Sequence, residues 1–138
     1  MPDLSQLRAA AREAREHAYA RYSNFTVGAA VETTDGRRFT GANIENASYG
    51  LAICAERTAV FAAVLAGAKG IAAVAVTGPD GVTTPPCGAC RQVLAEFGAP
   101  DVPLSYARAD GSWADTTLGE LLPSAFNPNS LEAARGIA

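Results

Sequence analysis

The chain has 138 residues, 49% of them hydrophobic and 18% charged, with a formal net charge of -3 and an isoelectric point of about 5.1. That is enough apolar sequence for one well-filled core, and it excludes a disordered chain. Mild acidity argues against a nucleic-acid binder, whose affinity comes largely from neutralising phosphates, and suits a small neutral substrate.

Residues 4–22 carry Leu4, Leu7, Ala11, Ala14 and Ala18 at spacings of three and four. This predicts an amphipathic helix, with Ser5 as a candidate N-cap and His17, the only histidine, on its surface or half-buried. The first twenty residues are charged and lack the apolar centre of a secretory signal. No apolar run approaches the roughly twenty residues of a membrane span, so a cytoplasmic location is expected. Ser23-Asn24 breaks the helix. Residues 25–33 read as a strand, Asp35-Gly36 as a hairpin turn and residues 37–41 as a second strand. Asn43-Ile44-Glu45-Asn46-Ala47-Ser48-Tyr49-Gly50 is polar and without period. It reads either as an ordered working loop or as an ordinary connection rich in Asx turns.

Residues 54–66 form the most apolar helical stretch, expected to be largely buried, with Gly67 as its C-terminal cap. Residues 71–77 are a continuous apolar strand, of the kind covered by helices on both faces. After a loop with three prolines, residues 88–97 predict a third helix, ended by Gly98 and Pro100. Residues 102–107 predict a strand, Asp110-Gly111 a turn, and residues 118–122 a helical turn stopped by Pro123. A final strand and one more helical turn toward residue 138 stay open. The layout predicts an α/β fold, a three-layer α/β/α sandwich around a mixed sheet of about five strands, as one domain over residues 1–138. In such a fold the N-termini of the second and third helices gather at the carboxyl edge of the sheet, which brings Cys54 and Cys87 together.

Cys54, Cys87 and Cys90 are the only cysteines. An odd count cannot pair fully in disulfides. Cys87 and Cys90 share one face of a first helical turn, Cys54 opens the other helix, and helix N-termini favour thiolates. Zinc on three thiolates keeps one tetrahedral position open, as catalytic sites do. Glu56 lies near enough to take a proton from water acidified by the metal. Three thiolates leave the dication with a net charge of about -1. Arg57 and Arg91, which follow ligand cysteines closely, would restore its acidity by hydrogen-bonding sulfur, unless they are plain surface or ion-pairing residues. The competing readings are a redox Cys-x-x-Cys pair, which its late position in the chain disfavours, and a structural zinc using His17 as fourth ligand.

Taken together, Ser23-Asn24-Phe25-Thr26-Val27-Gly28-Ala29-Ala30, the stretch from Gly41 to Gly50, Cys54-Ala55-Glu56-Arg57, Pro86-Cys87-Gly88-Ala89-Cys90-Arg91-Gln92-Val93-Leu94 and Leu121-Leu122-Pro123-Ser124-Ala125-Phe126 strongly resemble the small homotetrameric cytidine deaminases, over nearly the whole chain. Either cysteine motif alone marks only the wider zinc deaminase superfamily, in its three-cysteine variant. The resemblance implies hydrolytic deamination of cytidine and 2′-deoxycytidine to uridine and 2′-deoxyuridine plus ammonia in pyrimidine salvage, with Zn2+ on Cys54, Cys87 and Cys90 of each subunit. It implies that Glu56 carries a proton from the zinc-activated water to N3 of cytosine and then helps ammonia leave. It further implies that Asn43 and Glu45 bind a ribose hydroxyl, that Phe25 packs on the pyrimidine face and that the Ala55 backbone meets the base edge. Active sites at the interfaces of a homotetramer would place Tyr49 and Phe126 in a neighbour's pocket; Phe126 alternatively anchors the C-terminal core. Competing classes are a deaminase of a modified cytosine nucleoside (blasticidin-S type), a polynucleotide-editing deaminase and a non-enzymatic zinc module. The loop of residues 43–49 and the Phe126 tail disfavour the first, acidity the second, and Glu56 beside an open metal position the third. Neither nucleic acid nor membrane is an expected partner.

Overall fold

The computed structural model describes residues 3–136. In chain order the elements are α1 (Ser5–Ala14), β1 (Gly28–Thr33), β2 (Arg38–Ala42), α2 (Ala55–Leu65), β3 (Ile71–Thr77), α3 (Gly88–Phe97), β4 (Pro103–Ala107), β5 (Trp113–Thr117), α4 (Leu118–Leu121) and α5 (Pro128–Ala134), with short 3-10 turns at Arg15–His17 and Tyr49–Leu51. The sheet order is β2-β1-β3-β4-β5. Only β3 and β4 run parallel, joined through α3 as a β-α-β unit. The strand left open by the sequence is β5 and the extra helical turn is α5; the outermost parts of the terminal readings, Met1–Pro2 and Ile137–Ala138, lie outside the described residues.

Alternation along the strands sorts the core into two layers. Ala30, Ala73 and Ala75 meet Leu4, Leu7 and Ala11 of the N-terminal helical segment. Ala29, Val31, Val74, Val76 and Leu104 meet Ala55, Ala59, Val60 and Ala63 of α2 and Leu94 of α3. Helices therefore cover both faces, giving the expected three layers. The all-alanine strand face lets α1 sit close. A Cβ on Gly28 would lie 2.0 Å from the Ala11 carbonyl oxygen, so only glycine fits there.

Three boundaries differ from expectation, each for a tertiary reason. The first helix ends at Ala14, with one 3-10 turn beyond, instead of continuing to residue 22. Ala18 turns extended, and Tyr19 joins its backbone to the polar loop: Tyr19 N donates to Asn43 O (2.9 Å) and Glu45 N to Tyr19 O (2.8 Å). The N-cap position is Leu4, not Ser5, and it has no side-chain cap bond; Asp3 Oδ1, one residue earlier, accepts from Ser5 N at 2.9 Å. β1 begins at Gly28 because residues 25–27 are bound by Asn43 rather than by a neighbouring strand. The burial expected for α2 holds on one face. Ala55, Glu56, Ala59, Val60 and Ala63 are buried, whereas Phe61, Val64 and Leu65 are exposed.

Candidate active site

Two helix starts build the site. Cys54 is the N-cap of α2 and Cys87 the N-cap of α3, both with extended backbone. The carbonyl of each accepts from the helix it opens: Arg57 N and Thr58 N donate to Cys54 O at 3.1 Å, and Arg91 N donates to Cys87 O at 3.0 Å. Cys90 lies on the first turn of α3, fully buried. The start of α2 is seated directly on β2. A Cβ on Gly41 would fall 2.4 Å from Ala55 O and Ala59 N, and the Thr58 hydroxyl there bonds Ala42 O at 3.0 Å.

The three sulfurs converge. Cys54 Sγ to Cys87 Sγ is 3.7 Å, Cys87 Sγ to Cys90 Sγ is 3.4 Å, and all three lie within 4.8 Å of one another. A tetrahedral zinc with Zn–S of about 2.3 Å requires S···S separations of about 3.8 Å. The thiols are thus spaced for zinc and not for a disulfide, whose sulfurs stand about 2.05 Å apart. No histidine, aspartate or glutamate joins this cluster among the described residues. His17 is exposed on its 3-10 turn, so the reading of it as a fourth ligand is dropped.

The electrostatics suit a cation. Hydrogen bonding from Cys90, opposed by burial and reinforced by Arg57 and Cys87, pulls the Cys54 thiol down to about 5. The hydrogen bond with Cys54, together with burial, pushes Cys90 the opposite way, so thiolate character concentrates on Cys54. Arg57 Nη2 donates to Cys54 Sγ at 3.3 Å, and that bond raises the guanidinium above its usual range. Glu56 is 4% exposed, and burial above all pushes its carboxyl up to about 7.

Cys54, Cys87 and Glu56 line a cavity of about 410 Å³ whose walls also include Phe25, Asn43, Glu45 and Ala55. That size is in the range of small-molecule sites. The polar loop is ordered as the working-loop reading requires. Asn43 Oδ1 accepts from Val27 N (2.8 Å) and its Nδ2 donates to Phe25 O (2.8 Å). Glu45 Oε1 accepts from Tyr22 N (2.9 Å) and Ser23 N (3.1 Å), and Oε2 from the Ser23 hydroxyl. The Ser23 bond leads in holding the Glu45 carboxyl below its ordinary range.

Three other expected residues do not line this cavity. Arg91 bonds backbone carbonyls rather than sulfur: Nε donates to Pro86 O (2.8 Å) and Nη1 to Leu121 O (2.9 Å). Tyr49 is 78% exposed and packs edge-on against Tyr22, with ring centroids 6.1 Å apart. Phe126 is 64% exposed and is not a core anchor. Neither lines the cavity of its own chain.

The sequence reading passed over Thr83, Thr84 and Pro85, which also line the cavity. Thr84 N donates to Ala107 O (3.0 Å) and Ala109 N to Thr83 Oγ1 (2.9 Å), pinning this loop beside β4. The available signal was Pro85-Pro86, a stiff extended approach to Cys87.

Comparison with known proteins agrees with this geometry. Residues 1–106 match the cytidine and deoxycytidylate deaminase zinc-binding region. A cytidine deaminase of Halalkalibacterium halodurans is 46% identical over 129 residues, covering 94% of this chain and 98% of the relative. One from Mycobacterium tuberculosis is 42% identical over 137 residues, covering 98% and 99%. The crystal structure of cytidine deaminase from Burkholderia pseudomallei superposes with a TM-score of 0.84 at 50% identity, covering 91% of this chain and all of that one (100%).

Proposed function

The chain belongs to the cytidine and deoxycytidylate deaminase family, and on that premise we propose that it is a zinc-dependent enzyme hydrolysing cytidine and 2′-deoxycytidine to uridine and 2′-deoxyuridine plus ammonia. The reading treats residues 1–138 as one deaminase domain. The observation that carries it is a buried carboxyl, Glu56, beside three converging thiols at a nucleoside-sized cavity.

Cys54, Cys87 and Cys90 would hold the metal. Zinc so held supplies Lewis acidity, lowering the pKa of water toward neutrality. Glu56 takes one proton from the attacking water and delivers it to N3 of cytosine as the oxygen bonds C4, then takes the second proton from the new C4 hydroxyl and passes it to the amino group, so that the C4–N bond breaks, ammonia leaves and the C4 carbonyl of uridine forms. Its burial keeps competing bulk water away from these transfers. Phe25 packs on the pyrimidine face, and the Ala55 backbone, at the free-N–H end of α2, meets the base edge. Asn43 has one acceptor lone pair and one N–H committed to Val27 and Phe25, which leaves one of each for a ribose hydroxyl. Glu45, braced by Tyr22 and Ser23, accepts from the same sugar. The role of Arg91 is to hold the Pro86 carbonyl in front of Cys87, affecting the zinc through loop position.

Arg57 tunes the metal by withdrawing charge from Cys54. Arg57→Gln is expected to lower kcat about tenfold with zinc still bound. Unchanged rate and unchanged zinc content would remove this role.

Copies associate in the same proposal. Phe61, Val64 and Leu65 on α2, and Leu51 and Tyr49 before it, are exposed large apolar side chains of the kind that association between copies covers. A homotetramer with active sites at its interfaces accounts for them and puts Tyr49 and Phe126 in a neighbour's pocket. No helix among the described residues is long and apolar enough to cross a membrane; a cytoplasmic location and a salvage role complete the reading.

One substrate panel tests it. Cytidine and deoxycytidine should lose absorbance on mixing with enzyme. Free cytosine should react roughly 10⁴-fold more slowly, since the groups facing the sugar are left unpaired. Single-stranded DNA should be inert, and blasticidin S a poor substrate. Absence of cytidine turnover with zinc bound defeats the proposal, and a fully active monomer in sedimentation defeats the shared site.

A further inference from the structure

Two consecutive side chains after Cys90 reach from α3 to the backbone beyond β5. Arg91 Nη1 donates to Leu121 O at 2.9 Å, and Gln92 Nε2 donates to Phe126 O at 2.8 Å. Between those carbonyls the chain turns at Pro123-Ser124, with Ser124 at φ 54. A non-glycine residue reaches that left-handed region at a cost and stays there only where its surroundings over-determine it. Here the turn is held from both sides. Residues 121–126 are thus tied at two points to the helix that carries two of the three thiols.

The second tie lands on the carbonyl of Phe126 itself, whose ring is 64% exposed. The chain downstream adds little anchoring, because no residue of α5 is buried. With Leu121 held by Arg91, the Gln92 bond is the second fixed point that sets the direction in which the Phe126 side chain leaves the backbone.

We propose that Gln92 is a positioning residue, which through its hydrogen bond to the Phe126 carbonyl fixes how the Phe126 ring is presented to the substrate cavity of a neighbouring copy. This rests on the proposed entry of Phe126 into a neighbour's pocket. Gln92 touches neither metal nor substrate in this role. Its loss leaves the thiols, Glu56 and the proton transfers in place and loosens one wall of the substrate site.

The test compares Q92A, Q92E, Q92K, F126A and the double variant Q92A/F126A, reading kcat and KM for cytidine, zinc content and sedimentation. Loss of one neutral hydrogen bond predicts a rise in KM of about 3- to 10-fold for Q92A. Zinc and assembly should be unchanged and kcat nearly so. Q92E, which sets an acceptor against a carbonyl, should be at least as impaired, and Q92K, which restores a donor, should lie closer to wild type. In the F126A background Q92A should add nothing, the signature of two residues acting as one unit. If F126A is impaired while Q92A matches wild type, the inference fails and the reading of Phe126 stands. If F126A leaves KM unchanged, the reading of Phe126 fails first. Additive effects, or zinc loss in Q92A, would show that Gln92 acts through something other than Phe126 and overturn the inference.

Discussion

Glu56→Gln is expected to keep its zinc and its fold while kcat for cytidine falls by roughly 10²- to 10⁴-fold. Glutamine has nearly the same shape and fills the same buried space, so no cavity is opened. It also removes a carboxyl whose ionised form is disfavoured by burial, so thermal stability should be unchanged or slightly raised. The three thiols are untouched, and metal analysis should return wild-type stoichiometry. What is lost is a group able to accept and release a proton. In the proposed reaction Glu56 serves more than one transfer, which places the expected loss toward the upper end of the range. Steady-state kinetics beside a zinc assay and a melting curve decide the matter. A variant within tenfold of wild type would remove Glu56 from the proton path.

The second large effect concerns the metal. Cys90→Ser should abolish measurable deamination and weaken zinc binding on the order of 10³-fold or more, because one of three ligands is replaced by a hydroxyl that does not ionise near neutral pH. Cys90 is fully buried, 3.4 Å from Cys87, so solvent cannot readily supply a substitute ligand. Chelation of the wild-type protein should give the same loss of activity, reversed by added zinc, together with a lower melting temperature, since metal bound only by the folded state stabilises that state. Inductively coupled plasma measurements and a reconstitution assay check both. A Cys90→Ser protein with a full zinc complement and normal turnover would refute the three-thiol centre.

Much of this site was legible along the chain because its chemistry is local. Cys87 and Cys90 are three apart on one helical turn, and Glu56 is two residues from Cys54; the backbone geometry of a helix start converts those spacings into positions without outside help. The third helix, Gly88–Phe97, and the buried strand Ile71–Thr77 have the predicted bounds, because proline, glycine and an unbroken apolar run punctuate them clearly. The end of the first helix was not legible. Its apolar period continues through Ala18, but the tertiary partners of Tyr19 are Asn43 and Glu45, and two backbone bonds to them outweigh the marginal preference of one more turn. Asn43 likewise reads as a ligand-binding amide, yet its side chain also takes the place of a neighbouring strand for residues 25–27.

From the sequence by itself came the three cysteines as candidate metal ligands, the carboxyl beside them, the order of helices and strands, and the polarity of the loop that lines the cavity. Each depends on the nature and spacing of residues within a few turns of one another. Only the tertiary structure decided which of two similar arginines reaches sulfur. Arg57 starts from the first turn of α2 and comes within 3.3 Å of Cys54 Sγ, whereas Arg91, one residue beyond Cys90, is drawn to the carbonyls of Pro86 and Leu121. It also decided that Thr83 and Thr84 wall the cavity, and that Gln92 holds Phe126 across 34 residues of chain. A long polar side chain takes whichever acceptor the fold brings within about 3 Å, and that choice is made by packing between distant segments, not by neighbours in sequence.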